Sequence, residues 1–483
     1  LLAGGGLAEE TAKPDVLFIA VDDLNDYISP LDNHPGVKTP NFDRLAKRSV
    51  TFANAHCAAP VCHASRVAMM TGVHPVTSGI YNNLFGAHGP RWRDESPALR
   101  DAIVLSQHFR NHGYRAVGGG KIFHTLQWTP GDSQNDPEAW DDYRGDPLDP
   151  ISADWPRPVL TPDAEAGLTP GRPLGPRQLF GAQPLQVADR ETGDHMVVDW
   201  AAEQLAKPQD KPLFLAVGLF RPHIPFEVPQ RYFDLHPLED VQLPAVLKDD
   251  LDDSRAPQRQ SWHRWVLEND QWKVLMQGYL ASISYADHQL GRLLDALDAS
   301  ARKDDTIIVL WSDHGFHIGE KENWEKFCLW DQTTRVPLFV HVPEKRLDGG
   351  SANGQSTRQP VTLTDLYPTL CELTGIPIPA QCDGLSLVPQ LRKPQTPRPR
   401  LSLTSYAFGA KPSHAVSDAR YRMIRYADGF EELYDLEADP HEFRNLASDP
   451  QFAETKQRLA EGFPRTVAPR RKVPTDSKYH RKR

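Results

Sequence analysis

Five short apolar runs recur along the chain: DVLFIAV (15–21), YRAVGGG (114–120), PLFLAVGLF (212–220), TIIVLW (306–311) and VPLFVHV (336–342). Each is rich in β-branched or aromatic residues and bounded by turn formers, the pattern of a strand buried on both faces. Between them lie TPNFDRLAKRSV, ALRDAIVLSQHFRNHG and QGYLASISYADHQLGRLLDAL, whose apolar residues recur at helical spacing. Strands alternating with helices restrict the chain to an α/β fold: a mostly parallel sheet flanked by helices. At 483 residues the chain exceeds one ordinary core, which predicts a large α/β domain and something smaller beside it.

The smaller unit is expected at the C-terminus. PQTPRPR (394–400) reads as a linker. LSLTSYAF, AVSDARYRMIRYADG and EELYDL then read as antiparallel strands, with ADG as a hairpin turn. The expected organisation is a flexible start over 1–12, a catalytic domain over 13–394, an α+β subdomain over 395–470 and a basic, solvated tail over 471–483. Residues 127–190, rich in Pro, Asp and Gly, read as a long insertion over one face. Residues 225–272 are similarly irregular and carry Trp262, Trp265 and Trp272. The first residues, LLAGGGLAEE, resemble the end of a signal peptide with small residues at a cleavage site, which implies export to the periplasm or medium. No stretch approaches the ~20 apolar residues of a membrane span. A net charge of −10 argues against a nucleic-acid binder but leaves room for a local cationic pocket. The five cysteines are an odd number, and the spacing of Cys371 and Cys382 suits a small disulfide loop without establishing it.

The chemistry concentrates where the expected strands end. DVLFIAV runs into Asp22 and Asp23, YRAVGGG into Lys121 and His124, PLFLAVGLF into Arg221 and His223, and TIIVLW into Asp313 and His314. Ligands bind at that edge of open α/β sheets. Converging carboxylates Asp22, Asp23 and Asp313 repel unless a cation neutralises them, and oxygen ligands favour Ca²⁺, with Mg²⁺ second. His314, a softer donor, reads from spacing alone as an orienting group. Arg66, Lys121 and Lys326, with His124 and His223, describe a pocket for a tetrahedral oxyanion. Either histidine has the chemistry of a general acid. CHASR (62–66) precedes an apolar run, so Cys62 sits at a helix start, where a lowered thiol pKa would make it a nucleophile; a buried, inert cysteine is the alternative. Trp324 and Trp330 offer ring faces for stacking on sugars, with core packing as the alternative reading.

CHASRVAMMTG resembles the signature of the sulfatase family, Cys-x-(Pro/Ala)-Ser-Arg followed by Thr-Gly. VDDLND, GGGKIFH, GLFRPHIPF, SDHGFHIGEKENWEKF, TRVPLFVHVP and the C-terminal RYRMIRYADGFEELYDLEADPHEFRNLA are similar to family segments in the same order. Within the family the pattern looks most like iduronate-2-sulfatase and bacterial polysaccharide-degrading relatives. The resemblance implies an alkaline-phosphatase-like fold, and a sulfatase acting on a sulfated carbohydrate from a chain end. It implies that a maturation enzyme oxidises Cys62 to formylglycine. One hydroxyl of the hydrated aldehyde attacks sulfur, and the other helps expel sulfate. It further implies Asp22, Asp23, Cys62, Asp313 and His314 as Ca²⁺ ligands, which overrides the orienting role read for His314. Arg66 would contact the formylglycine, and Lys121, His124, His223 and Lys326 would hold sulfate or protonate the leaving oxygen. Two alternatives remain open: a phosphoester or phosphonate monoester hydrolase of the same superfamily, and a silent sulfated-glycan-binding protein.

Overall fold

The computed structural model describes residues 13–31, 33–83, 92–124, 136–144, 180–208, 210–257 and 260–471. The expected flexible start, most of the 127–190 insertion and all but Arg471 of the basic tail lie outside them. At the centre is an eight-stranded sheet. In chain order its strands are β1 (Asp15–Val21), β2 (Val50–Phe52), β3 (Arg115–Gly120), β4 (Asp142–Arg144), β5 (Leu213–Leu219), β6 (Thr306–Ser312), β7 (Leu338–His341) and β8 (Ser356–Thr357). Across the sheet they lie in the order β8-β2-β7-β6-β1-β5-β3-β4. β1 is flanked by parallel neighbours on both sides, with Val16 opposite Phe214 and Ile307.

β1 shows why these residues make a central strand. Val16, Phe18 and Ala20 join one apolar cluster, while Leu17, Ile19 and Val21 join the other. A period of two with both faces apolar requires helices above and below. The helices flanking the sheet are α1 (Pro40–Ala46), α2 (Cys62–Thr71), α3 (Leu105–Asn111), α4 (Gly193–Ala206) and α5 (Trp272–Ala299). Met69 and Phe109 pack on the first face, and Val197, Leu290 and Leu294 on the second. Each fully buried side chain of this size contributes about 1.5–3 kcal/mol.

Two expectations change here. β7 is not parallel: it runs against β6 on one side and β2 on the other. The reason is the connection. A parallel return needs a crossover to the far end of the sheet. Residues 313–337 hold only short elements, so the chain re-enters at the edge it has just left. The helix expected over ALRDAIVLSQHFRNHG begins only at Leu105, after a separate turn at Pro97–Leu99.

The C-terminal unit is a four-stranded antiparallel meander, β9 (Ser402–Tyr406), β10 (Ser413–Ser417), β11 (Tyr421–Arg425) and β12 (Glu431–Asp435), covered by α6 (Ala453–Ala460). Val416, Met423, Leu433 and Leu459 form its own small core. It is locked to the larger unit by Arg422, which donates to Leu329 O at 3.2 Å and Thr334 Oγ1 at 2.6 Å. All five cysteines are free thiols, so the Cys371–Cys382 loop is not closed by a disulfide.

Candidate active site

The C-terminal ends of β6, β1, β5 and β3 are adjacent, and the ionisable residues that follow them meet there. Crowding at this edge demands small residues. A Cβ on Gly218 would stand 2.3 Å from the backbone of Lys121, so only glycine lets β3 and β5 close this tightly beside the lysine. Asp23 turns the chain in the left-handed region, at φ 57°, a conformation that aspartate tolerates better than most residues. Tyr279 of α5 braces that turn, donating from its hydroxyl to Asp23 O at 2.8 Å and accepting from Asn25 N at 3.0 Å.

Cys62 is the first residue of α2, and Gly72, at φ 72°, ends the same helix in the left-handed conformation. Thr71 and Gly72 therefore close the helix that Cys62 opens. The Cys62 Sγ lies 3.1 Å from His314 Nε2 and 3.4 Å from Lys326 Nζ. Ser65 donates to Asp313 O at 2.6 Å, tying α2 to the end of β6. Lys326 reaches Asp23 Oδ1 at 2.6 Å, and Lys121 pairs with Asp22. His223 Nε2 is 3.7 Å from Asp23 Oδ2. Asp22, Asp23, Arg66, Asp313 and His314 have no solvent exposure at all.

The ten ionisable residues singled out by sequence are thus placed together, and three expectations about the site are corrected. Cys62 does not gain a lowered thiol pKa from its helix start. Burial pushes the thiol up, and the nearby Lys326 only partly opposes it. Arg66, expected against the modified Cys62, spends its donors elsewhere: Asp313 Oδ2 at 2.8 Å, Asp22 Oδ1 at 3.0 Å and the carbonyls of Lys121 and Ile122. It braces the carboxylates, because a planar fork can bridge two acids at once. Trp324 and Trp330 are 0% and 1% exposed and cannot stack on a sugar. Trp324 packs against Phe180 and Trp272, and Trp330 donates to Glu432 Oε2 at 2.9 Å across the seam between the two units.

The electrostatics follow from burial. Burial alone would raise Asp22, but Lys121, His223 and Arg66 together hold it well below the usual carboxylate range. Asp23 is raised, by burial first and by the adjacent Asp22, although Lys326 pulls the other way. His124 and His223 are both held well below the usual imidazole range, by burial and then by Lys121 and Lys326 among their neighbours. His223 donates from Nδ1 to Ile224 O, leaving Nε2 toward the acids, while neither nitrogen of His124 has a partner among the described residues.

The donor set fits a hard divalent cation. Single atoms of Asp22, Cys62, Asp313 and His314 all lie within 4.8 Å of one another, and so do atoms of Asp22, Asp23, Cys62 and His223. Asp23 Oδ2 is buried without a hydrogen-bond donor. His314 donates from Nδ1 to Gly315 O at 2.8 Å, which turns Nε2 toward Cys62, Asp23 and Asp313, the usual arrangement for a metal-binding histidine. Each donor group brings two carboxylates together, and oxygen donors suit Ca²⁺ or Mg²⁺. Tyr279 and Ser312, whose Oγ accepts from Leu24 N at 3.1 Å, support the site but carried no signal in the sequence, where Tyr279 is one residue of a helical run and Ser312 simply follows a strand.

A mixed sheet of this order, an acid–base cluster at its C-terminal edge and an antiparallel C-terminal unit define an alkaline-phosphatase-like hydrolase. The family model described as "Sulfatase" matches residues 14–376, and one described as "N-sulphoglucosamine sulphohydrolase, C-terminal" matches residues 319–467. The chain belongs to the sulfatase family, the sulfuric ester hydrolases. It is 38% identical over 470 residues to a "Sulfatase" of Formosa agariphila, covering 95% of this chain and 88% of that protein. It is 32% identical over 410 residues to the "Iduronate 2-sulfatase" of Mus musculus, covering 76% of this chain and 70% of that one. In fold it is similar to the phosphonate monoester hydrolase of Agrobacterium radiobacter, with a TM-score of 0.71 at 22% identity, covering 93% of this chain and 94% of that one. No helix among the described residues is long and apolar enough to cross a membrane.

Proposed function

We propose that this chain hydrolyses O-sulfate esters of a carbohydrate at a chain end, outside the cytoplasm, after a maturation enzyme has converted Cys62 to formylglycine. The observation that carries the reading is the Cys62 side chain itself. It is buried among Lys326, His314 and the acids, with its thiol pKa raised, so it is poorly suited to act as a thiolate. A residue so placed makes sense as the precursor of another nucleophile. Formylglycine supplies a hydrated aldehyde, one hydroxyl to attack sulfur and a second to help expel sulfate.

A divalent cation, calcium by the chemistry of its donors, would be held by Asp22, Asp23, Asp313, His314 and the modified Cys62, and would supply neutralising charge beside the sulfate oxygens. The remaining work falls to the chain's own residues. Lys121 and Lys326 hold the sulfate by charge, in a buried site where such contacts are strong. Arg66 fixes Asp22 and Asp313. His124 or His223, whose protonation the negative charge of the bound sulfate ester would favour against the two lysines, delivers a proton to the leaving alkoxide, so that the ester and one water become an alcohol and hydrogen sulfate. The relative named an iduronate 2-sulfatase supports a sulfated, uronate-containing glycan as the substrate class.

The test is direct. The mass of the Cys62 peptide is measured after co-expression with a maturation enzyme, and matched aryl sulfate and aryl phosphate are then compared. A kcat/KM higher for the sulfate, only in converted protein, is expected. A higher value for the phosphate would make the chain a phosphoester hydrolase. No turnover of any sulfated sugar by converted protein would make it a binding protein.

A further inference from the structure

Lys326 reaches the site from neither α2 nor a strand of the central sheet. It comes from the segment of short elements between Asp313 and Arg335. The backbone around it is held in an unfavourable form. Among the described residues eight other than glycine stand at positive φ, and four of them fall between 321 and 327. These are Lys321 at 51°, Glu322 at 51°, Glu325 at 66° and Phe327 at 73°, the last two flanking Lys326. In that region Cβ crowds the carbonyl, and only Gly, Asn and Asp enter it readily. Such a run persists only where its surroundings over-determine it.

Lys321 supplies one grip on this segment. Its Nζ donates to Asp250 Oδ1 at 2.6 Å and to Glu442 O at 2.5 Å. The side chain is 3% exposed. The ammonium lies 5.3 Å from the centre of the Trp330 ring and 5.5 Å from that of Tyr434 in β12. A charge buried this deeply is costly unless it is paired, and here an acid, a carbonyl and two ring faces stand in for water. Three pieces of chain distant in sequence meet on one ammonium: the strained segment, the stretch around Asp250 and the C-terminal unit.

The same C-terminal residue grips the other flank. Glu442, itself at φ 56°, accepts from Asp331 N on its Oε2 at 2.7 Å. Arg422 and Glu432 hold the neighbouring Leu329 and Trp330 to the C-terminal unit as well. Lys326 is therefore strung between two anchors, and from there its Nζ reaches Asp23 Oδ1 and Cys62 Sγ. Among the described residues Lys321 bonds to none of the site's acids. A change at Lys321 acts on the site through the backbone of 321–327.

We propose that Lys321, clamped between Asp250 and the Glu442 carbonyl, is a positioning residue for Lys326, so that the C-terminal unit sets where the sulfate-holding ammonium stands. This rests on the sulfatase reading for what Lys326 holds, and on the clamp alone for where Lys326 stands. The C-terminal unit is then a working part of the site, joined to it through a strained segment that does not hold its shape unaided.

The experiment compares Lys321→Met, Lys326→Met and the double variant with the parent, all matured at Cys62 and assayed below their melting temperatures on nitrophenyl sulfate. Lys321→Met should lower kcat/KM about tenfold, mostly through KM, because the lost contact serves ground and transition states alike. Added to Lys326→Met, the same change should lower kcat/KM less than about twofold, since the residue it positions is gone. Equal losses in both backgrounds, a loss in kcat alone, or a parent-like KM in folded Lys321→Met would overturn the proposal. Asp250→Asn keeps the lysine and weakens its partner, so it should show the same pattern at about threefold if Lys321→Met does not fold. Arg398→Gln breaks a pair with Asp365 that is buried as deeply, and should lower melting without raising KM. A KM raised equally by that control would overturn the positioning role. Hydrogen exchange in peptides spanning 320–331 reads the clamp without turnover. It should quicken in Lys321→Met and not in Arg398→Gln, and unchanged exchange would overturn the clamp. A parent inert on every sulfate ester, with that exchange pattern intact, would sink the sulfatase reading and leave the clamp standing.

Discussion

Replacing Arg66 by alanine isolates what holds the acids together. The guanidinium is fully buried and joins Asp313 Oδ2 at 2.8 Å to Asp22 Oδ1 at 3.0 Å, while also capping the carbonyls of Lys121 and Ile122. Removing it leaves Lys121 on Asp22, but Asp313 keeps only the backbone N–H groups of Asp23 and His314. Breaking one side of a buried pair costs about 3–5 kcal/mol, because a charge is left without its partner. In urea that loss lowers the unfolding midpoint by on the order of 1 M. Arg66→Lys should fall between, since an ammonium cannot fork across two acids. The assay is urea unfolding in EDTA and again with millimolar calcium. A cation bound at 100 times its Kd adds about 2.7 kcal/mol, and it should add more to the alanine variant, where no guanidinium competes for the same oxygens. The gap between parent and variant should therefore narrow with calcium. A variant within about 0.5 kcal/mol of the parent in EDTA, well under the cost of an unpaired buried charge, would refute the reasoning.

Three further outcomes follow from the same geometry. Cys62→Ala should abolish sulfate-ester turnover while calcium still raises its melting temperature; retained turnover would remove Cys62 from the chemistry. If His124 or His223 is the acid, its alanine variant should slow alkyl sulfates at least tenfold more than nitrophenyl sulfate, and equal losses would make it a sulfate-binding residue instead. Glu320 is pushed up to about 7 from 4.5 by burial, despite hydrogen bonds from Tyr27 and Ile318 N. The native state thus keeps a proton that the unfolded chain loses, so this group's contribution is full below about pH 4.5 and is lost as pH rises through about 7. The total is on the order of 3 kcal/mol. Glu320→Gln should gain on the parent across that window in denaturant titrations, and a constant difference from pH 5 to 8 would contradict it.

Much of the site was legible because strand ends are legible. DVLFIAV, YRAVGGG, PLFLAVGLF and TIIVLW announce themselves by apolar content, and whatever polar residue follows must stand at the edge of the sheet. What the four runs do not reveal is which neighbours they choose, and VPLFVHV shows the limit. Its composition demands burial on both faces, which either direction satisfies, so the reversal of β7 depended on how the chain travels from Asp313 to Arg335. The tryptophans show the same limit in side chains. Trp324 and Trp330 follow the site in sequence, but packing against Phe180 and the C-terminal strand turned both away from it.

Local order thus determined the elements of the central sheet, the residues at their ends and the helix that Cys62 begins, because propensity, periodicity and turn chemistry act over a few residues. Tertiary structure alone decided that Arg66 faces Asp22 and Asp313, that the Cys62 thiol is buried beyond easy ionisation, and that Ala468 lies against Tyr81, whose hydroxyl donates to its carbonyl. Those outcomes depend on charges and surfaces brought together from positions up to about 400 residues apart, where Coulomb interaction and desolvation, not sequence spacing, set the energy.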